Sequence, residues 1–252
     1  MAFNVPAQSY DAFMGRYSRP LAPRLADFAG IAAGQRALDV GCGTGALTAE
    51  LVDRLGPEHV AAVDPSEPFV EAMRTRFPGL AVERAGAERL PFPSETFDAA
   101  LAQLVVHFMR DPTAGITEMA RVTGAGGMVA ACVWDHAGSH GPLAAFWDAA
   151  RGLQPGVHDE SNLAGVREGH LAELFEAAGL EAIESTALEV AVDHPSFDEW
   201  WLPFTAGVGP AGEFVATLAP EAREELRAAC HARLGDGPFT ISAIAWAARG
   251  RP

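Results

Sequence analysis

The chain has 252 residues, 49% of them hydrophobic, enough for one large core or for one core with a smaller appended unit. A net charge of −15, from 33 acidic residues against 18 basic ones that are all arginine, offers no Lys/Arg cluster to a phosphate backbone and argues against a nucleic-acid partner. No apolar run approaches the ~20 residues of a membrane helix, no basic flank leads into a greasy segment at the start, and Cys42, Cys132 and Cys230 lie far apart without metal or disulfide spacing, so a cytoplasmic protein with no membrane partner and no metal is expected.

From residue 36 the chain alternates short β-type runs with helical periodicity. "RALDVG" and "VAAVD" are strand-like runs ending in Gly or Asp, and between them Leu47, Leu51, Val52 and Leu55 recur on one helical face, which makes a βαβ unit. The helix "EPFVEAMRTRF", the strand "LAVERA", the turn-rich "ERLPFPSETF" and the strand "DAALAQLVV" follow. Next comes the helix "DPTAGITEMARVTG", which Asp111 can cap, Pro112 can open and Gly124 can end, and then the strand "MVAACVW". This alternation predicts an α/β fold with a parallel, doubly wound sheet and ligand sites at the carboxyl ends of its strands.

After Trp134 the texture changes to a helical segment, "GPLAAFWDAARGL", among turn formers, which reads as an insertion or lid over the ligand end. An amphipathic helix "REGHLAELFEAAGL", a strand "EAIESTALEVAV", helices over "SFDEWWLPFTAG" and "PAGEFVATLAPEAREELRAACHARL", and a last strand "FTISAIAWAARG" complete the chain. One α/β domain carrying helical insertions is expected, not two independent domains.

The stretch "DVGCGTG" places Gly41, Gly43 and Gly45 in a GxGxG pattern, whereas a dinucleotide fold wants GxGxxG; Ala46 stands at the third position, so the glycines alone leave the two readings close. Their neighbours separate them. Asp39, inside the first strand, needs hydrogen bonds from the turn or a cationic ligand group, and it would repel a pyrophosphate. Asp64 ends the next strand about 20 residues on, where a carboxylate can accept both hydroxyls of a ribose. The pattern describes a ligand with a ribose and a positive charge but no diphosphate.

Together, "ALDVGCGTG", "VAAVDPS", "AERLPFPSETFDAAL" and "EMARVTGAGGMVAACVW" resemble the class I S-adenosylmethionine-dependent methyltransferases, in particular the small-molecule branch that includes ubiquinone/menaquinone-type enzymes. The resemblance covers residues 36–135 well and the rest loosely. It implies a Rossmann-like sheet, mostly parallel with an antiparallel final strand, in which 1–35 is an N-terminal helical lid, 36–135 the cofactor-binding core, and 136–252 the helical insertions that form the acceptor pocket and finish the sheet.

The resemblance further implies that the turn Gly41, Cys42, Gly43, Thr44, Gly45 passes under the methionine part of S-adenosylmethionine, with Asp39 orienting its amino group. Asp64 would hold the ribose, Pro65 and Ser66 would continue the wall, and Ala87 and Glu88 would border adenine. The family's usual aspartate is replaced by Gly86 here, which weakens adenine recognition or hands it to Glu88. Gln103, Leu104 and Val105 would line the cofactor, and Tyr17 and Arg19 would cover it.

Methyl transfer needs an acceptor aligned behind the methyl carbon, and for an oxygen or carbon acceptor also a base. His107 is the catalytic candidate, with His136 and His140 behind it, because histidine titrates near working pH. Phe146, Trp147, Trp200, Trp201 and Phe204 are expected to wall a pocket for a flat or apolar small-molecule acceptor. A homodimer is compatible with these features. The alternatives are a non-catalytic cofactor-binding member of the fold and an NAD(P)-dependent oxidoreductase.

Overall fold

The computed structural model describes residues 7–252, so the first six residues of the expected lid lie outside the described residues. In chain order the elements are α1 (Ala7–Tyr10), a π-turn (Asp11–Gly15), α2 (Arg16–Ala29), β1 (Ala37–Val40), α3 (Ala46–Leu55), β2 (Val60–Asp64), α4 (Glu67–Arg76), β3 (Ala81–Arg84) and β4 (Phe97–Gln103). They continue with α5 (Pro112–Val122), β5 (Thr123–Trp134), α6 (Ala144–Leu153), α7 (His170–Ala177), β6 (Glu181–His194), α8 (Phe197–Trp201), α9 (Gly209–Thr217), α10 (Pro220–Leu234) and β7 (Phe239–Arg251).

The seven strands form one sheet in the order β3-β2-β1-β4-β5-β7-β6. Pairs from β3 to β5 are parallel, and the final strand β7 runs antiparallel to both β5 and β6. Successive side chains of a strand point to opposite faces, and this alternation builds two cores. Ala37, Ala99 and Leu101 join Leu21 and Leu25 of α2 and Leu47 and Leu51 of α3 on one face. Leu38, Val40, Ala100 and Ala102 join Ile116 and Met119 of α5 and Leu171 and Phe175 of α7 on the other. A strand buried on both faces reads as a continuous apolar run, which is why "ALDV" shows no polar alternation. Strand order reverses between β1 and β4, and chains leaving those strands toward opposite sides open a crevice at their carboxyl ends.

The chemistry of the α5 start appears as expected, with Asp111 accepting a hydrogen bond from the Ala114 amide at 3.0 Å and Pro112 in the first turn. Its end does not. The helix stops at Val122, Thr123 already pairs with Phe97, and Gly124 is a residue of β5 and not a helix terminator. The single helix expected over 210–234 is two, because Pro220 has no amide hydrogen to carry α9 onward and instead opens α10. Among the described residues no helix is long and apolar enough to cross a membrane.

Candidate active site

The floor of the crevice is the turn from β1 to α3. Both Gly41 and Cys42 donate their amides to the Val63 carbonyl, at 2.8 and 2.9 Å, so the turn is pulled across the end of β2. All three glycines have positive φ, a region that costs an L-residue about 1–2 kcal/mol, but their surroundings differ. A Cβ at Gly41 would lie 2.5 Å from Val105, and one at Gly45 would lie 2.5 Å from the Met73 sulfur, whereas a Cβ at Gly43 would meet nothing within 4 Å. Gly41 and Gly45 are therefore needed by the packing, and Gly43 keeps backbone open toward the crevice.

Asp64 is 6% exposed, and its two carboxylate oxygens accept from the Gly43 amide at 2.9 Å and the Ser66 amide at 2.8 Å. These bonds fix the carboxylate edge-on to the crevice while leaving lone pairs for further donors. Burial raises its pKa, and the two amide bonds oppose that rise. Asp39 lies beneath the turn, fully buried, and accepts from the Thr48 hydroxyl of α3 at 2.5 Å and not from the turn itself. Burial pushes its carboxyl up to about 7, the Thr48 bond holds it down, and the neighbouring Asp64 adds to the rise. Two carboxylates so placed disfavour a diphosphate and favour a cation.

A cavity of about 660 Å³, in the range of small-molecule sites, opens above this floor. Of the residues expected to meet a cofactor, Gly41, Gly43, Asp64, Pro65, Ala87, Glu88, Gln103, Leu104 and Val105 line it. Cys42, Thr44, Gly45 and Ser66 support the turn from behind instead. Cys42 is a buried thiol whose pKa burial raises, and Thr44 donates its hydroxyl to Asp11 at 2.5 Å while its carbonyl accepts from Arg76. Gln103 donates through Nε2 to the Ser18 carbonyl at 3.0 Å and leaves Oε1 buried without a partner. Leu104 has φ +63°, uncommon for a bulky residue, and so turns from β4 into the cavity wall.

At Gly86, a Cβ would lie 3.1 Å from Glu88 Oε2, so the Glu88 carboxylate stands beside the place an aspartate side chain would fill. Its other oxygen accepts from the Arg110 amide at 2.8 Å, which ties the segment to the loop after β4. Tyr17 and Arg19 do not line the cavity. The Tyr17 hydroxyl lies 2.8 Å from His194 Nε2, and Arg19 pairs with Asp11 at 3.0 Å, while Tyr10 at the end of α1 reaches the cavity. Tyr10, Phe69, Phe108 and Met109 line it and were not foreseen.

Beyond Tyr10, Leu104 and Phe108, which border both spaces, lies a void of about 30 Å³ lined also by His107, Trp134, His136, Leu143, Glu160 and Val208. His107 is buried, its Nδ1 has no partner, and burial together with the neighbouring His136 holds its pKa well below the usual value. His140 is elsewhere, on the surface, with Nδ1 2.7 Å from Asp135. The aromatic residues expected to wall an acceptor pocket pack against one another instead. Phe146 stacks on Phe204 at 4.6 Å, and Trp200 and Trp201 close over Phe204, so these rings form a core under the void and none lines it.

The sheet order, the reversed final strand and the glycine turn with an acidic residue closing β2 define a Rossmann-like fold. Residues 38–131 match the family model described as a methyltransferase domain. The chain is 38% identical over 95 residues to 2-methyl-6-phytyl-1,4-hydroquinone methyltransferase 2 of Oryza sativa subsp. japonica, covering 37% of this chain and 27% of that one. It is 33% identical over 128 residues to the malonyl-[acyl-carrier protein] O-methyltransferase of Erwinia billingiae, covering 51% and 50%. The chain thus spans about half the length, or less, of these curated relatives. Among solved structures, the YcgJ protein of Bacillus subtilis shares the fold with a TM-score of 0.57 at 20% identity, over 92% of this chain and 99% of that one.

Proposed function

We propose that this protein transfers the methyl group of S-adenosylmethionine to a small molecule whose reacting part is flat or apolar. The observation that carries the reading is the cavity floor, where the oriented Asp64 carboxylate and the open Gly43 backbone stand together. Ribose hydroxyls would donate to Asp64, with Asp39 as the negative charge beneath the methionyl ammonium. Adenine would lie between Pro65 and Ala87, with Glu88 taking the edge that Gly86 does not contact. Leu104 and Val105 would flank the sulfonium, and Tyr17 and Arg19 would act indirectly, by docking α2 and holding Asp11 on Thr44.

The sulfonium carries its own leaving group, so the protein's task is alignment and exclusion of water. The apolar border of Tyr10, Leu104 and Phe108 suits both demands, and His107 is the group we assign to the acceptor side of that border. Cys42, Cys132 and Cys230 are buried free thiols, which suit a reducing, cytoplasmic compartment. Calorimetric titration with S-adenosylmethionine and S-adenosylhomocysteine, on the parent and on Asp64→Ala, tests the reading. Micromolar binding that the substitution weakens at least tenfold is expected. Tighter binding of NADH, or no binding of either sulfur compound, would overturn it.

A further inference from the structure

Three segments distant in sequence bring His107, His136 and Glu160 together: the 3-10 turn after β4, the turn after β5, and the 3-10 turn 160–162. One ring nitrogen from each histidine and one carboxylate oxygen all lie within 4.8 Å of one another, and all three residues are buried. His136 Nε2 is 3.9 Å from Glu160 Oε1, while Glu160 Oε2 accepts from Trp147 Nε1 at 3.0 Å, so the indole orients the carboxylate toward the histidine. Among the described residues no arginine reaches Glu160, which leaves a buried carboxylate facing two imidazoles without a full positive charge. Two buried polar atoms of residues lining the same void are also unpartnered, His107 Nδ1 and Trp134 Nε1.

We propose that His107, His136 and Glu160 bind a divalent transition-metal cation. Two imidazoles and one carboxylate are the donors that suit Zn²⁺, Fe²⁺ or Co²⁺ more than Mg²⁺ or Ca²⁺. Ligand atoms on such an ion stand roughly 3–3.5 Å apart, from metal–ligand bonds of about 2.0–2.2 Å, so closing the triad needs movements of about 1 Å. The adjoining void of about 30 Å³ holds an ion with one water but not an organic acceptor. The site makes His107 a ligand in place of a lone base, and it stands on its own residues independently of methyl transfer.

The test is titration of the metal-stripped full chain with Co²⁺, followed by the visible absorption of the bound ion, and with Zn²⁺ by calorimetry. One equivalent per chain is expected, with affinity lowered at least tenfold in His136→Ala and Glu160→Gln. Trp147→Phe keeps the ligands, loses only the orienting bond and is expected to weaken binding by about tenfold. His231→Gln, at an exposed histidine paired with Asp236, is expected to leave binding unchanged. Thermal melting identifies variants that fail to fold, and Glu160→Gln, close in shape, covers that case. No Co²⁺ binding by the parent, or stoichiometric binding that survives both ligand substitutions, overturns the proposal. Unchanged S-adenosylmethionine affinity in the same variants separates this result from the donor site.

Discussion

Asp64 does two jobs with one carboxylate, orienting the glycine turn and facing the cavity, and substitution separates them. Asp64→Ala leaves the Gly43 and Ser66 amides without their acceptor, at about 1–3 kcal/mol, and removes the proposed ribose acceptor. Both a lower melting temperature and an S-adenosylmethionine affinity reduced ten- to a hundredfold are expected by calorimetry. Asp39 predicts a pH effect. Its carboxyl titrates near 3.9 in the unfolded chain and about 7 when folded, so the folded protein holds the extra proton between those values. Its contribution is fully present below about pH 4 and is lost as pH rises through 7. Denaturant unfolding of the parent should therefore lose roughly 2–4 kcal/mol, relative to Asp39→Asn, between pH 5 and 8; parallel pH profiles would refute this. Glu88→Gln should weaken binding several-fold without a change in melting, whereas Gly86→Asp in the otherwise unchanged chain should not strengthen it, because the new carboxylate would stand against Glu88 Oε2.

At the scale of elements, the glycine turn divides into packing and opening. Gly41→Ala collides with Val105 at the left-handed φ of +74° and is expected to destabilise by at least about 2 kcal/mol, read as a lowered denaturation midpoint. Gly43→Ala meets no atom and carries only the cost of its φ, about 1 kcal/mol, so it should affect ligand binding more than stability. The reverse order in thermal melts would remove this division. The turn was legible in the sequence because glycine spacing and the flanking carboxylates are local features. The placement of α2 was not. Its amphipathic pattern gives a buried face, but only the sheet decides that Tyr17 turns toward His194, 177 residues away, and that Tyr10 reaches the cavity. Tyr17→Phe should lower stability by about 1 kcal/mol, a melting shift of a few degrees, with ligand affinity unchanged.

For the whole molecule, a donor site that forms only in the folded state links ligand to stability. At a hundred times its dissociation constant, S-adenosylmethionine should stabilise the parent by about 2.7 kcal/mol, seen as a rise of several degrees in melting temperature, and Asp64→Ala by only about 0.4–1.4 kcal/mol.

The chain's own pattern determined the alternation of strands and helices, the turn between β1 and α3, the cap of α5 and the pair of carboxylates around that turn. Each of these depends on residues close in sequence, where periodicity, capping and glycine geometry act. The tertiary structure alone decided which buried aromatic rings are core and which are wall, because a ring of either kind carries the same apolar signal. It also decided that His107, His136 and Glu160 meet: their spacing along the chain is that of no familiar metal motif, and only the ends of β4 and β5 and the turn 160–162 bring them to one void.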